Sequence, residues 1–337
     1  MTNKNIVSNA LQVRAWLPKI QVANERILSV IPFFHSYGMT TCLNLAIVSA
    51  ATMVLLPQFI IKDVLGAINR YRPTMFPGVP TMYIALINNP EIGKYDLRSI
   101  SACISGAAAL PVEVQAKFEQ ITGGRLVEGY GLSEASPVTH ANPIYGLRKA
   151  GSIGLPFPST VAKVVSLETG EDLSVGEIGE LVVQGPQVMQ GYWNNEEETQ
   201  LVLKGNWLFT GDLAKMDEDG YFFIVDRKKD MIIAGGYNIY PRDIEEVLYT
   251  HPKIQEALVI SAPHEYLGEA VKAFVVLKPG EEASAEEIIQ YCSTRLAKFK
   301  VPKMVEFRDS LPKTLIGKIL RRVVVDEERK KYLDKVN

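Results

Sequence analysis

The sequence predicts an α/β protein laid out in three styles: a doubly wound sheet over residues 1–150, a small antiparallel β unit over 151–226, and an α+β domain over 227–337. Three observations predict it. In the first stretch, short β-branched runs alternate with segments of helical period, the pattern of parallel strands joined by crossover helices. From Gly151 to Tyr192 glycines and prolines punctuate short alternating strands, and no helical period is present. Beyond Asp226 strands and helices mix again in a compact α+β order.

Residues 26–31, 53–56, 74–76, 100–104 and 125–127 read as strands of the first region. Residues 62–71 read as an amphipathic helix with Val64, Leu65 and Ile68 on one face, and 112–121 as a second, opened by Pro111 in its first turn. The apolar run 39–56 approaches the length of a membrane span, but it carries Thr40, Thr41, Asn44, Ser49 and Thr52 and lacks basic flanks. A buried helix followed by a buried strand is expected there. Residues 178–184 give the clearest strand of the β unit. In the last region a hairpin is expected from 221–225 and 231–234, then a helix over 241–249, strands over 257–260 and 271–277, and a helix over 285–296.

The charge balance, 36 Lys and Arg against 38 Asp and Glu, leaves a formal net charge of -2. Bulk attraction for nucleic acid or an anionic membrane is therefore not expected, and a polyanion has to be held locally. Cys42, Cys103 and Cys292 are too few and too scattered for a disulfide scaffold or a Cys-x-x-Cys metal site, which suits a reducing cytoplasm. His35, His140, His251 and His264 have no zinc spacing. The N-terminal residues lack the apolar run and small-residue cleavage site of a signal peptide.

The segment Glu128-Gly129-Tyr130-Gly131-Leu132-Ser133-Glu134 follows an expected strand. Its glycines let backbone approach a ligand, Tyr130 offers a flat ring, Ser133 a hydroxyl, and Glu134 a hard oxygen of the kind Mg²⁺ takes. A nucleotide at the carboxyl end of a strand and a plain glycine-rich turn account for it equally well. The loop Ser105-Gly106-Ala107-Ala108-Ala109-Leu110-Pro111 reads alone as a tight strand-to-helix turn, with a flat ligand as the alternative. Asp212, after Gly211, suits either a turn cap or the two hydroxyls of a ribose. The run Asp226-Arg227-Lys228-Lys229-Asp230 with Gly235-Gly236 reads as a solvated face or a hinge. Lys318, after Gly317, reads as part of a basic tail or as a point charge for a transferring phosphoryl group. His35 lies among aromatics in Pro32-Phe33-Phe34-His35-Ser36-Tyr37, where a partly buried, satisfied ring is the local reading.

Seven collinear blocks, PFFHSYGM, SGAAALP, EGYGLSEASPVTH, GELVVQGPQVMQGYWN, WLFTGDLA, DRKKDMIIAGGYNIYPRDIEEVL and LPKTLIGKILRR, together resemble the acyl-adenylate-forming superfamily, and within it the bacterial long-chain fatty-acid CoA ligases. The resemblance implies ATP-dependent activation of a fatty acid to acyl-AMP and then acyl-CoA, with ATP, CoA and Mg²⁺. It implies that Tyr130 stacks on adenine, lined by Ser105, Gly106, Ala107, Ala108, Glu128, Gly129 and Gly131. Ser133 would meet a phosphate, Glu134 would hold Mg²⁺, Asp212 with Arg227 would grip the ribose, and Asn238 would approach the α-phosphate. Lys318 and Glu134 would be catalytic and Lys229 the hinge of a mobile C-terminal domain. Gly235 and Gly236 would border the CoA path, and His35 and Tyr37 would shape the acyl pocket.

The resemblance also implies a partial large domain, residues 1–226, ahead of the C-terminal domain, 227–337. The family's Ser/Thr/Gly-rich triphosphate loop falls before Met1, and Gln58 stands where relatives often carry a lysine near CoA. From this follow the expectations of impaired adenylation, of a partial-reaction fragment or a nonenzymatic nucleotide- or CoA-binding subunit of a split enzyme, and of self-association or a complementary N-terminal fragment. A cytoplasmic location, with peripheral contact at the inner membrane face, is the matching expectation.

Overall fold

In the computed structural model, which describes residues 1–264, 268–314 and 318–336, the chain divides into two compact units. The first comprises residues 1–210 and 214–224, and the second 211–213 and 225–337.

The first unit opens with helix α1 (Asn3–Trp16), which the sequence reading did not anticipate. Its N-terminus is closed by a capping box: Thr2 Oγ1 accepts from Asn5 N at 3.3 Å, and Asn5 Oδ1 accepts from Thr2 N at 2.8 Å. Strand β1 (Arg26–Ser29) leads through the short α2 (Ser36–Gly38) and a π-helical stretch, Met39–Asn44, into α3 (Leu45–Ser49). Strand β2 (Thr52–Leu55) pairs in parallel with β1. The expected buried helix is present, but β2 is not buried throughout: Thr52 is exposed and Leu55 is 58% exposed, and among the described residues β1 is its only strand partner. Helix α4 (Ile61–Tyr71) buries Val64, Leu65, Ala67 and Ile68, carries Asp63 in its first turn and Arg70 in its last, and ends at Arg72 in the left-handed region.

Residues 74–76 do not form the expected strand. Met75 makes only single parallel bridges, to Ile27 and Ala102, since Pro73 and Pro77 bracket it and cannot donate to a ladder. After α5 (Pro80–Ile87), β3 (Ala102–Ser105) and α6 (Val112–Thr122), strand β4 (Arg125–Gly131) pairs in parallel with β3. Pro111 is the cap residue of α6, one position ahead of the first turn expected for it. β4 then pairs antiparallel with β5 (Val138–Ala141), and β5 with β6 (Leu155–Pro156).

The β unit consists of β7 (Val161–Val165), β8 (Gly179–Gln184), the short helix α7 (Glu196–Val202), β9 (Leu203–Lys204), β10 (Trp207–Met216) and β11 (Phe222–Arg227), with sheet order β11-β10-β8-β7 and β9 on β10. Helix α1 is fastened by amides to β5 and to the segments before β7 and after β8. Asn9 Nδ2 donates to Val138 O at 2.7 Å and Asn9 Oδ1 accepts from Val138 N at 3.1 Å. Asn5 Nδ2 donates to Pro186 O and Val188 O, and Gln12 Nε2 to Pro158 O and Gln187 Oε1.

The second unit contains β12 (Ile232–Ala234), β13 (Tyr237–Ile239), α8 (Pro241–Tyr249), β14 (Ile254–His264), β15 (Gly268–Leu277), α9 (Ala285–Ser293), β16 (Met304–Phe307) and α10 (Arg321–Val336). The expected hairpin of 221–225 with 231–234 does not form. β11 pairs with β10, and β12 turns back on β13 through Gly235-Gly236, whose φ values of 57° and 82° are those a tight two-residue hairpin turn requires. Along β15, Val271, Ala273 and Val275 pack against Ile244, Leu248, Ile288 and Cys292 of α8 and α9, while Phe274 and Val276 pack with Val324 of α10. A sheet covered on both faces explains the apolar run Ala273–Leu277 of this strand. α9 ends at Ser293, short of the expected Leu296, and β16 and α10 were not anticipated. No helix among the described residues is long and apolar enough to cross a membrane.

The amide fastening of α1 gives a stability prediction. Asn9→Ala strips partners from two buried backbone groups at about 1–3 kcal/mol each, so the first unit should lose on the order of 3 kcal/mol in urea unfolding followed by tryptophan fluorescence. A loss below about 1 kcal/mol would contradict this account of the fastening.

Candidate nucleotide site

In the first unit, strand β4 changes partner in mid-course. Its register runs Ser105↔Glu128 in parallel with β3, then Gly129↔Ala141 and Tyr130↔His140 antiparallel with β5, with an irregularity between Tyr130 and Gly131. The first part of the segment expected to follow the strand, Glu128–Gly131, is therefore part of it, and its glycines answer first to neighbouring protein. A Cβ on Gly131 would lie 2.1 Å from Pro137 O, and one on Gly129 2.9 Å from Ile104 Cγ2. Tyr130, half-buried, meets the His140 ring edge-on at 6.0 Å, and His140 meets Phe222 at 5.0 Å.

The loop 105–111 leaves β3 beside this strand. Ser105 is buried, Ala107 adopts a left-handed φ of 67°, and a Cβ on Gly106 would press on the Tyr37 ring at 3.1 Å. A non-glycine residue held in that region costs about 1 kcal/mol or more, a strain that clusters at ligand sites. Glu128 is buried, and its Oε2 accepts from Leu110 N at 3.2 Å, so this carboxylate holds the loop. Tyr37 is buried with its hydroxyl 2.6 Å from Ile104 O, at the end of β3, and 3.2 Å from Gly78 O. His35 caps α2, its Nδ1 accepting from Tyr37 N at 3.2 Å. Ala108 is exposed in the same loop.

Ser133 is exposed, with its Oγ 3.3 Å from Ser36 Oγ, which ties the segment after β4 to the start of α2. Glu134 accepts twice from the stretch 189–192: its main-chain O from Met189 N at 2.8 Å and its Oε1 from Tyr192 OH at 2.9 Å. Burial, then the contact with Glu134, pushes the Tyr192 hydroxyl up to about 12, so it stays a donor. A single carboxylate with its second oxygen left for a hard cation fits Mg²⁺, which is bound through one or two carboxylates together with substrate phosphates. Groups of three or more acidic, His or Cys side chains able to hold a metal by themselves are absent among the described residues. A flat ring, a strained small-residue loop, hydroxyls and a carboxylate thus converge at the carboxyl ends of β1, β3 and β4, where open α/β sheets bind ligands.

The second unit gathers a separate charged group. Asp212, buried after Gly211 at φ 72°, pairs with Arg227 Nε at 3.3 Å. Burial, then the charge of Arg227, pulls the Lys318 ammonium below its usual range, with Lys229 acting the same way and Asp212 and Asp230 opposing. Gly317 lies outside the described residues. Lys229 and Asn238 are exposed, and Gly235 and Gly236 form the hairpin turn. Asp226 supports the group from beneath, with Oδ1 accepting from Arg227 N at 2.7 Å and Oδ2 from Arg242 N at 2.9 Å in the first turn of α8; its burial raises it to about 6.

Sequence reasoning named Asp226 only within the charge run 226–230 and gave no role to Tyr192, Ser36 or Arg321, whose guanidinium pairs with Glu245 at 2.9 Å and Asp230 at 3.4 Å. Asp226 could have been found as a carboxylate ahead of a helix opened by proline. Tyr192 carries no signal at a separation of 58 residues from Glu134.

His140 supplies a pH prediction. Burial pushes its ring down to about 3, and Nε2 has no partner among the described residues. The unfolded chain takes that proton below about 6.5, so between about 6.5 and 3 it binds more protons than the fold does, and His140 erodes stability as pH falls. His140→Phe should therefore gain on the parent progressively in urea unfolding between pH 7.5 and 4. A difference that does not change with pH would contradict this.

Residues 1–193 match the model of the AMP-binding enzyme family and residues 243–318 that of the AMP-binding enzyme C-terminal domain. The chain is 55% identical over 332 residues to a long-chain-fatty-acid–CoA ligase of Bacillus subtilis (strain 168), covering 98% of this chain and 59% of that protein. It is 42% identical over 332 residues to a long-chain-fatty-acid–CoA ligase of Yersinia pestis, with the same coverage. Among solved structures, ATP-bound MatB from Rhodopseudomonas palustris matches with a TM-score of 0.91 at 32% identity, over 98% of this chain and 65% of that one. The anthranilate CoA ligase AuaEII in complex with anthranoyl-AMP matches with a TM-score of 0.87 at 30% identity, over 95% of this chain and 63% of that one. The chain thus spans about three-fifths of the length of the curated relatives it matches, and with a family model covering more than half of it, it belongs to the AMP-binding enzyme family.

Proposed function

We propose that the chain serves the activation of a long-chain fatty acid: its carboxylate attacks the α-phosphorus of ATP, pyrophosphate leaves, and the thiol of coenzyme A then displaces AMP from the acyl carbon. The observation that carries this reading is the convergence on Tyr130, Ser133 and Glu134 at the point where β4 changes partner. The fatty-acid substrate is that of the long-chain-fatty-acid–CoA ligases to which the chain is 42–55% identical.

In the first unit, Tyr130 stacks on adenine, while Ser105, Gly106, Ala107, Ala108, Glu128, Gly129 and Gly131 give the nucleotide its wall. Ser133 donates to a phosphate, Glu134 holds Mg²⁺, and His35 and Tyr37 border the acyl group. Mg²⁺ bound there neutralises phosphate charge. In the second unit, Asp212 and Arg227 take the ribose, Asn238 approaches the α-phosphate, and Gly235 and Gly236 border the pantetheine chain. Lys318 places a point charge against the negative charge that develops during adenylation; its partly desolvated ammonium, crowded by Arg227, is pre-set to gain from an approaching anion. Lys229 serves as the hinge between residues 1–226 and 227–337.

Incubation with palmitoyl-AMP and coenzyme A is expected to give palmitoyl-CoA and AMP. Tyr130→Ala should weaken adenylate binding, measured by calorimetry, roughly 10- to 100-fold, the scale of one lost stacking contact. Lys318→Ala should slow pyrophosphate release from palmitate, ATP and Mg²⁺ by about 100-fold or more while sparing the thioester step. Thioester formation that never exceeds background, together with adenylate binding indifferent to Tyr130, would overturn the proposal.

A further inference from the structure

Glu134 is held by a frame of its own. Asn5 of α1 donates to Pro186 O at 2.9 Å and Val188 O at 2.8 Å, and Ser136 Oγ donates to Gln187 O at 2.8 Å, which fixes the stretch that begins at Gly185. Met189 N meets the Glu134 main chain at 2.8 Å. At the far end, Tyr192 N donates to Thr199 Oγ1 at 2.9 Å, and Thr199 Oγ1 donates in turn to Asn195 O at 2.8 Å. Tyr192 is therefore anchored through its backbone, and its hydroxyl reaches Glu134 Oε1 at 2.9 Å. One carboxylate oxygen is thereby committed to a rigid phenol, and the rotation of the other is fixed.

We propose that Tyr192 is the positioning residue of the cation site: by donating to Oε1 it locks the Glu134 carboxylate and presents Oε2 to a divalent cation carried by a nucleotide phosphate. The inference rests on the reading of Glu134 as the cation ligand. A carboxylate left to rotate loses part of its affinity in ordering itself at each binding event, whereas a carboxylate already fixed does not.

The test uses the full chain with Mn²⁺ as probe in the presence of ATP, bound Mn²⁺ being read by electron paramagnetic resonance. Glu134→Gln should weaken Mn²⁺ binding at least 10-fold and Tyr192→Phe about 3- to 10-fold, while Tyr192→Phe added to Glu134→Gln should change nothing further. Weakening by Glu134→Gln alone, with Tyr192→Phe matching the parent, overturns the inference and leaves Glu134 as the ligand. A Tyr192→Phe effect of equal size in the Glu134→Gln background assigns Tyr192 a merely structural role and also overturns it. No effect of either single substitution overturns the reading of Glu134 itself.

Discussion

Strand β4 cannot keep one partner along its length, and the candidate site of the first unit depends on that constraint. Up to Glu128 it lies parallel to β3, and from Gly129 it lies antiparallel to β5. The crossing brings backbone so close that any side chain at Gly131 would collide with Pro137 O. The strand therefore enters the crossing through glycine and leaves it through glycine, and the residues between and beyond are placed without freedom of their own. Glu128 is turned inward to hold the loop after β3, Tyr130 is set against His140, and Ser133 and Glu134 emerge beside the helix start at Ser36 and the frame at 185–192.

In the second unit the common feature is charge packed tightly against charge. Asp212 and Arg227 pair, Asp226 fixes the backbone of Arg227 and the first turn of α8, and Lys318 feels the charges of Arg227, Asp212, Lys229 and Asp230. An ammonium desolvated in this way has more to gain from an approaching anion than one in water, because the protein has already stripped its hydration. Each unit thus carries its own part of the proposed chemistry on its own scaffold.

Much of this was legible in the sequence, and the failures have physical causes. The parallel strands and α4 follow from periodicity, since their apolar residues are what the core buries. Helix α1 escaped because Asn5, Asn9 and Gln12 fasten it, and a helix held by buried amides shows no apolar stripe. The hairpin beyond Tyr221 was misassigned because alternation marks a strand without naming its partner; the positive φ values at Gly235 and Gly236 place the turn one segment later. The motif from Glu128 to Glu134 was visible as chemistry, but its glycines were read as room for a ligand when the nearest occupants are Pro137 and Ile104. Tyr192 acts at a distance that only the fold closes.

The most direct test of the account is amide hydrogen exchange on the full chain with and without palmitoyl-AMP. Added protection that includes residues 105–110 and 128–135 of the first unit is the predicted result. Saturating palmitoyl-AMP that leaves both segments unchanged would contradict the assignment of the β4 crossing as the nucleotide site.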